Sequence, residues 1–201
     1  MITLLLHAVQ VTGVQLLLFV LVPAWALSRI RWLNLAEWMF TALVAGVVSA
    51  ALLGQVCNGS GIGAGTALGI WLTAWIGAGV WLWRKKKTPS LPRMDWLLGA
   101  VLILAWVVRM IHPLQTCALG QSDAYSHLGF LRDVLEQGRV GNGDYPPAYA
   151  WVMAFPAWLL QEKPYWVARF GGAFFGVGLV LGTHVLLTQV KGRTAGLAAA
   201  V

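Results

Sequence analysis

Residues 64–87 read AGTALGIWLTAWIGAGVWLWRKKK: a charge-free apolar run, tryptophans at its far end, then four basic residues in a row. The run from 64 to 83 supplies the about 20 residues that a helix needs to cross about 30 Å of hydrocarbon. Indole rings collect where hydrocarbon meets water, and Lys and Arg in short loops stay on the cytoplasmic side during insertion. This stretch predicts a membrane span that ends inside. The rest of the chain repeats the pattern.

Of the 201 residues, 59% are hydrophobic and 10% charged, against roughly 45–50% and about 25% in soluble globular proteins. Too little polar surface remains to coat a water-soluble globule, so a soluble enzyme, a disordered tail and a disulfide scaffold are excluded. The formal net charge of +7 could suggest nucleic acid. Half of the basic residues, however, lie in two short loops: Arg29 and Arg31, then Arg84, Lys85, Lys86, Lys87 and Arg93. That is a topology signal without a folded basic face, and no nucleic-acid partner is expected.

Further apolar runs cover residues 3–27, 36–57, 96–111 and 167–190, with a shorter one at 148–160 interrupted by Pro156. The fold class predicted is all-α: a polytopic membrane helix bundle with a short amphipathic interfacial helix in the first long external loop. Residues 1–93 form three N-terminal transmembrane helices with basic cytoplasmic loops. The first lacks the basic start and short apolar core of a cleaved signal, and it reads as an uncleaved anchor. Residues 94–201 begin a second membrane module with the external loop at 112–147, and the final apolar stretch, 194–201, stops without a polar tail as a truncated chain would. The expected localisation is integral and multi-pass, in a bacterial or archaeal plasma membrane.

The basic loops place the ends of the second and fourth helices outside. Trp25, Trp32, Trp38, Trp81, Trp83 and Trp96 fall near the inner loops, as an aromatic belt does. If 148–160 only dips into the membrane, the next helix reverses and Lys191 and Arg193 move inside; charge alone prefers that version. Cys57 and Cys117 both fall at the outer face, where either a disulfide or two unrelated thiols fit. Gly61, Gly65 and Gly69, and again Gly172 and Gly176, form small-residue ridges of the kind that let helix backbones approach in lipid. His7 and His184 stand alone in apolar runs and read as buried hydrogen-bonding residues. Asn58–Gly59–Ser60 matches a glycosylation acceptor but hugs a helix end.

The informative segment is 121–149, QSDAYSHLGFLRDVLEQGRVGNGDYPPAY. Ser122 suits an N-cap, and a carboxylate at Asp123 favours the positive end of a helix. Leu128, Leu131, Val134 and Leu135 recur at helical spacing and Gly138 supplies the stop, so a helix of about four turns should lie on the outer interface, apolar face down. Asp123 and His127 are four apart and share a face, with Tyr125 beside them. A carboxylate there can cap a helix, act as a general base on an acceptor hydroxyl, or bind a hard divalent cation that neutralises a phosphate leaving group. Arg109 lies near the outer end of its helix, where it can snorkel to headgroups or face a phosphate.

The order Ser122-Asp123-Ala124-Tyr125-Ser126-His127, then Asp144-Tyr145-Pro146-Pro147, resembles the multi-spanning GT-C glycosyltransferases, closest in pattern to the oligosaccharyltransferase and protein-mannosyltransferase-like group. Trp166-Val167-Ala168-Arg169-Phe170 and Lys191-Gly192-Arg193-Thr194-Ala195-Gly196-Leu197 are similar to the family's next two helix starts. The resemblance covers about residues 94–201. It implies an enzyme that transfers a sugar from a polyprenyl-phosphate carrier at the outer face, with acceptor open. It implies catalytic roles for Asp123 and His127 and substrate contacts at Tyr125, Asp144 and Tyr145; Arg109, by its place on the helix, is a further candidate for substrate contact. It also implies a divalent cation, Mg or Mn, with Asp123 as candidate ligand, although position 121 is Gln and no Asp-x-Asp pair forms. Finally, it implies that 148–160 spans and that Lys191 and Arg193 lie outside. The competing class is a non-catalytic transferase-like subunit, or a lipid-carrier transporter or flippase. A membrane interior nearly free of charge favours chemistry at the surface over transport through it.

Overall fold

The computed structural model describes residues 2–28, 34–85, 96–116, 118–119, 122–141, 146–161 and 163–200, with the side chains of Ser122 and Asp123 outside that description. Among the described residues every regular element is helical. The described residues form eight helices in order: α1 (Ile2–Leu27), α2 (Leu35–Ser60), α3 (Ala64–Arg84), α4 (Trp96–Gln115), α5 (Ser122–Gln137), α6 (Ala148–Leu160), α7 (Pro164–Lys191) and α8 (Arg193–Ala200). Five of them, α1 to α4 and α7, are long and apolar enough to cross a membrane. The chain is a multi-pass membrane protein.

Local chemistry sets the boundaries. Asn34 opens α2 by accepting a 2.8 Å hydrogen bond from Glu37 N–H, the usual side-chain cap for the unpaired N–H groups of a first turn. Gly61 closes α2 in the left-handed conformation (φ 68°), where a Cβ would be strained. Within α1 a π-helical turn, Leu17–Leu21, precedes Pro23. That turn brings the Phe19 carbonyl so near α2 that a Cβ on Gly46 would sit 2.5 Å from it. The close backbone approach therefore falls at Gly46, not on the two ridges expected from spacing. Of those ridge glycines, Gly65 receives the Trp158 ring and Gly176 the Arg109 side chain, while Gly61, Gly69 and Gly172 face open space.

The core of the bundle is α6. Every residue from Ala150 to Ala157 is buried, and α6 packs against α1, α2, α3, α5 and α7. Two of its large rings seat on glycines: Trp151 against Gly54 of α2 and Trp158 against Gly65 of α3. Phe155 lies 6.0 Å from Trp71 of α3, centroid to centroid. Pro156 does not interrupt the helix, because neighbouring helices shield the backbone that it disturbs.

These contacts decide the topology. Gly65 is in the first turn of α3, and Trp151 meets α2 near its last turns, so both ends of α6 sit close to the α2–α3 turn. At 13 residues α6 is about 20 Å long, short of the about 30 Å of a hydrocarbon core. Three residues after α6, α7 starts beside the beginning of α1: the rings of His7 and Trp166 stack at 4.7 Å. From there α7 runs parallel to α1, with Gly171 against Gln15, Gly178 against Leu43 and Gly182 against Phe40. Leu181 closes a small cluster with Ala36 and Leu98, the first turns of α2 and α4. Lys191 and Arg193 thus reach the end of the bundle that holds Arg84 and Lys85, where Trp25 and Trp83 pack 6.4 Å apart.

The spanning α6 implied by the resemblance is therefore corrected to a helix that enters and leaves at one end. Lys191 and Arg193 move from the outer to the basic end, as the charge pattern alone prefers. The physical reason is length combined with burial, since from Ala150 to Ala157 α6 has no face left for lipid. At the far end of α7, α8 folds back on it, and Gly196 leaves room for Thr188.

Candidate functional site

The end of the bundle opposite Arg84 and Lys191 carries α5. Its apolar stripe is as the spacing predicts: Leu131 and Val134 are fully buried, and Leu128 and Leu135 partly so. Gly138 ends it in the left-handed conformation (φ 70°), with its N–H donating to Val134 O at 3.1 Å. A Cβ there would press on the Gly61 and Ile62 carbonyls of the α2–α3 turn. Asn58 completes this anchorage. Its Oδ1 accepts from Val140 N–H at 2.7 Å and from Trp151 Nε1 at 3.3 Å, tying α2, the segment after α5, and α6 together. The Asn-Gly-Ser pattern thus has a packing role that spacing did not reveal.

On the upper side of α5, His127 lies 4.7 Å from the Tyr149 ring of α6 and 6.2 Å, edge to face, from Phe130. Tyr149 was not among the candidates. Partial burial pushes its phenol above the ordinary value, so it stays protonated at neutral pH and can donate. Tyr125 points elsewhere: it is half-exposed, and its hydroxyl accepts from Leu119 N–H at 3.4 Å. Residues two apart on a helix do not face each other, so Tyr125 and His127 serve different sides. Asp123 falls in the first turn of α5, four residues before His127. Its side chain, Asp144, Tyr145 and Cys117 lie outside the described residues. Cys57 is a buried thiol.

The carboxylates described on α5 do not form a cation site. Asp133 accepts from Gly141 N–H at 3.3 Å, and Glu136 pairs with Arg132 at 3.7 Å. Among the described residues no group of three His, Cys, Asp or Glu side chains gathers to hold a metal ion.

Arg109 is not at the end of its helix. α4 continues through His112 and Pro113 to Gln115, which leaves Arg109 about 9 Å inside that end. Its guanidinium lies over Gly176 of α7, where a Cβ would be 2.5 Å from Nε.

Arg169 is the residue that spacing passed over. It is 7% exposed, with Nε donating to Pro113 O at 2.7 Å and Nη1 to the Tyr165 hydroxyl at 3.3 Å. The Tyr165, Trp166 and Phe170 rings surround it at 5.3–5.8 Å. Among the described residues it has no carboxylate within ion-pair reach. A buried arginine in a helix start is visible in sequence, but its burial is not, because the rings that enclose it belong to its own first turns. His7, read as isolated, stacks on Trp166 beside it. His184 is buried as expected, but its Nδ1 finds no hydrogen-bond partner.

Compared with protein-family models, with curated proteins and with solved structures, the chain matches none.

Proposed function

We propose that the protein is an integral membrane glycosyltransferase that takes a sugar from a polyprenyl-phosphate carrier at the non-cytoplasmic face. The basic end of the bundle, with Arg84, Lys85, Lys191 and Arg193, is then cytoplasmic, and α5 lies outside. The observation that carries this reading is α5 itself. An amphipathic helix is held at the end remote from the basic residues, and its first turns bear Asp123, Tyr125 and His127 in the order that resembles the GT-C enzymes.

In the proposed reaction Asp123, steadied by His127, accepts the proton of the acceptor hydroxyl as that oxygen attacks the anomeric carbon. The bond from that carbon to the carrier phosphate breaks, and the phosphate leaves with the electron pair, met by a guanidinium. Asp144 and Tyr145 contact the sugar or acceptor, and Tyr125 does so from the other side of α5, where its hydroxyl accepts from Leu119 N–H. A divalent cation, Mg or Mn, held by Asp123 would instead neutralise the leaving phosphate.

Transfer of labelled sugar from a polyprenyl-phosphate donor by the full-length protein in proteoliposomes tests this. Asp123→Asn should lower transfer by roughly 10²-fold or more, the scale of general-base catalysis, with folding intact. Transfer at the wild-type rate in that variant removes Asp123 from the chemistry. The second reading is a non-catalytic transferase-like subunit or a lipid-carrier transporter. One observation favours it: α6 returns to its own side, whereas the resemblance implies a span there.

A further inference from the structure

Helices α4 and α7 meet along one seam, antiparallel, and the seam carries two guanidinium groups. Pro113, Arg109, Ala105 and Val101 are spaced four apart on a single face of α4. Arg169, Gly176 and Val180, spaced seven and four apart, lie on a single face of α7. Arg169 reaches across the seam to the Pro113 carbonyl, and Arg109 reaches across to Gly176. Directly below, Val101, Leu104, Ala105, Val108, Arg109 and Val180 line a cleft of about 410 Å³.

We propose that this seam binds a single-chain lipid bearing a phosphomonoester or pyrophosphate, its head on Arg169 and Arg109 and its chain in the cleft. Three arguments carry it. First, a buried charge without a counter-ion is expensive, and among the described residues Arg169 has a carbonyl, a phenol and ring faces for company. Second, Arg109 sits at membrane depth, with no carboxylate within ion-pair reach among the described residues, on a glycine whose lack of a Cβ makes the space that the guanidinium occupies. Third, Arg109 lines the cleft and Arg169 stands at the outer end of the same seam, and two guanidinium groups match a head of about −1.5 to −2 charge on one chain. A diacyl phosphodiester brings a single charge and a second chain with no groove of its own. Arginine is the side chain suited to this, because its planar fork meets phosphate oxygens two at a time.

The inference deepens the proposed function by placing the carrier's phosphate, and its test is separable from that reading. Purified protein in phosphatidylcholine nanodiscs is titrated with a radiolabelled polyprenyl monophosphate and, in a second arm, with phosphatidylglycerol. Wild type should hold the monophosphate at least tenfold more tightly. Arg169→Gln and Arg109→Gln should each weaken it at least tenfold. Gly176→Ala, which displaces a flexible guanidinium at little cost to folding, should weaken it several-fold with an unchanged melting temperature. Binding of the monophosphate should also weaken as the pH falls below about 6, where the head loses its second charge. Asp123→Asn should bind as wild type does. Transfer lost with binding retained in that variant keeps the two ideas distinct. Equal affinity for phosphatidylglycerol overturns the proposal. So does monophosphate affinity that Arg109→Gln and Gly176→Ala leave unchanged: Arg169 is then a structural clamp on the last turn of α4.

Discussion

Helices α4 and α6 are built from the same kinds of residue, Trp, Leu, Val, Ala and Met, with a proline near or inside the last turns. Only 11% of the membrane window of α4 is buried, whereas α6 is enclosed from Ala150 to Ala157. Apolarity makes a helix compatible with lipid; it does not say whether lipid or protein will be the neighbour. Two features separate the pair. α6 is too short to cross, and it is flanked by helices with glycines at the heights of its tryptophans. Since lipid chains are as apolar as leucine, packing in the bilayer relies on dispersion and close fit, which a ring seated on a glycine supplies.

The difference can be broken by substitution. Trp151→Ala should cost about 3–5 kcal/mol, the range for emptying a large aromatic site, while Ile103→Ala on the lipid face of α4 should stay within about 0.5 kcal/mol. Denaturant unfolding in micelles measures both, and equal losses would mean that α6 is no more a core helix than α4. Gly54→Ala forces a Cβ against the Trp151 ring and should cost about 1–3 kcal/mol, whereas Gly172→Ala, in open space, should be close to neutral. Asn58→Ala leaves two donors without their acceptor and should cost about 1–3 kcal/mol, loosening α5 and α6 together; hydrogen exchange at Val140 reads the second effect. The smallest effect belongs to the surface of α5. Arg132→Gln breaks an exposed pair and should shift the melting temperature by less than the error of the other variants.

Much of this fold was legible in the residues. The five long runs, the stop at Gly138 and the buried stripe of α5 follow from apolar length and helical spacing, which are local properties. The fate of 148–160 was not local. Its lack of periodicity reads the same for a core helix and a span, and the glycines that receive its rings lie about 90 residues away in α2 and α3. The continuation of α4 through Pro113 was missed for a similar reason, since the Arg169 side chain satisfies a carbonyl of that last turn from another helix. Charge, by contrast, carried long-range information: Lys191 and Arg193 marked their side before the packing around α6 explained why. Around α5 the residue order named Asp123 and His127, while Tyr149 and Arg169 needed the folding back of α6 and α7 to come into view.

The central claim is that α6 returns to the end from which it enters, so that α7 carries its basic end to the side of Arg84 and Lys85. Single cysteines at Gly192 and at Gly59, in a background without Cys57 and Cys117, can be labelled with a membrane-impermeant thiol reagent in intact cells and in inverted vesicles. Gly192→Cys should react from the cytoplasmic side and Gly59→Cys from the outside. Labelling of both from the same side would make α6 a span and contradict the account.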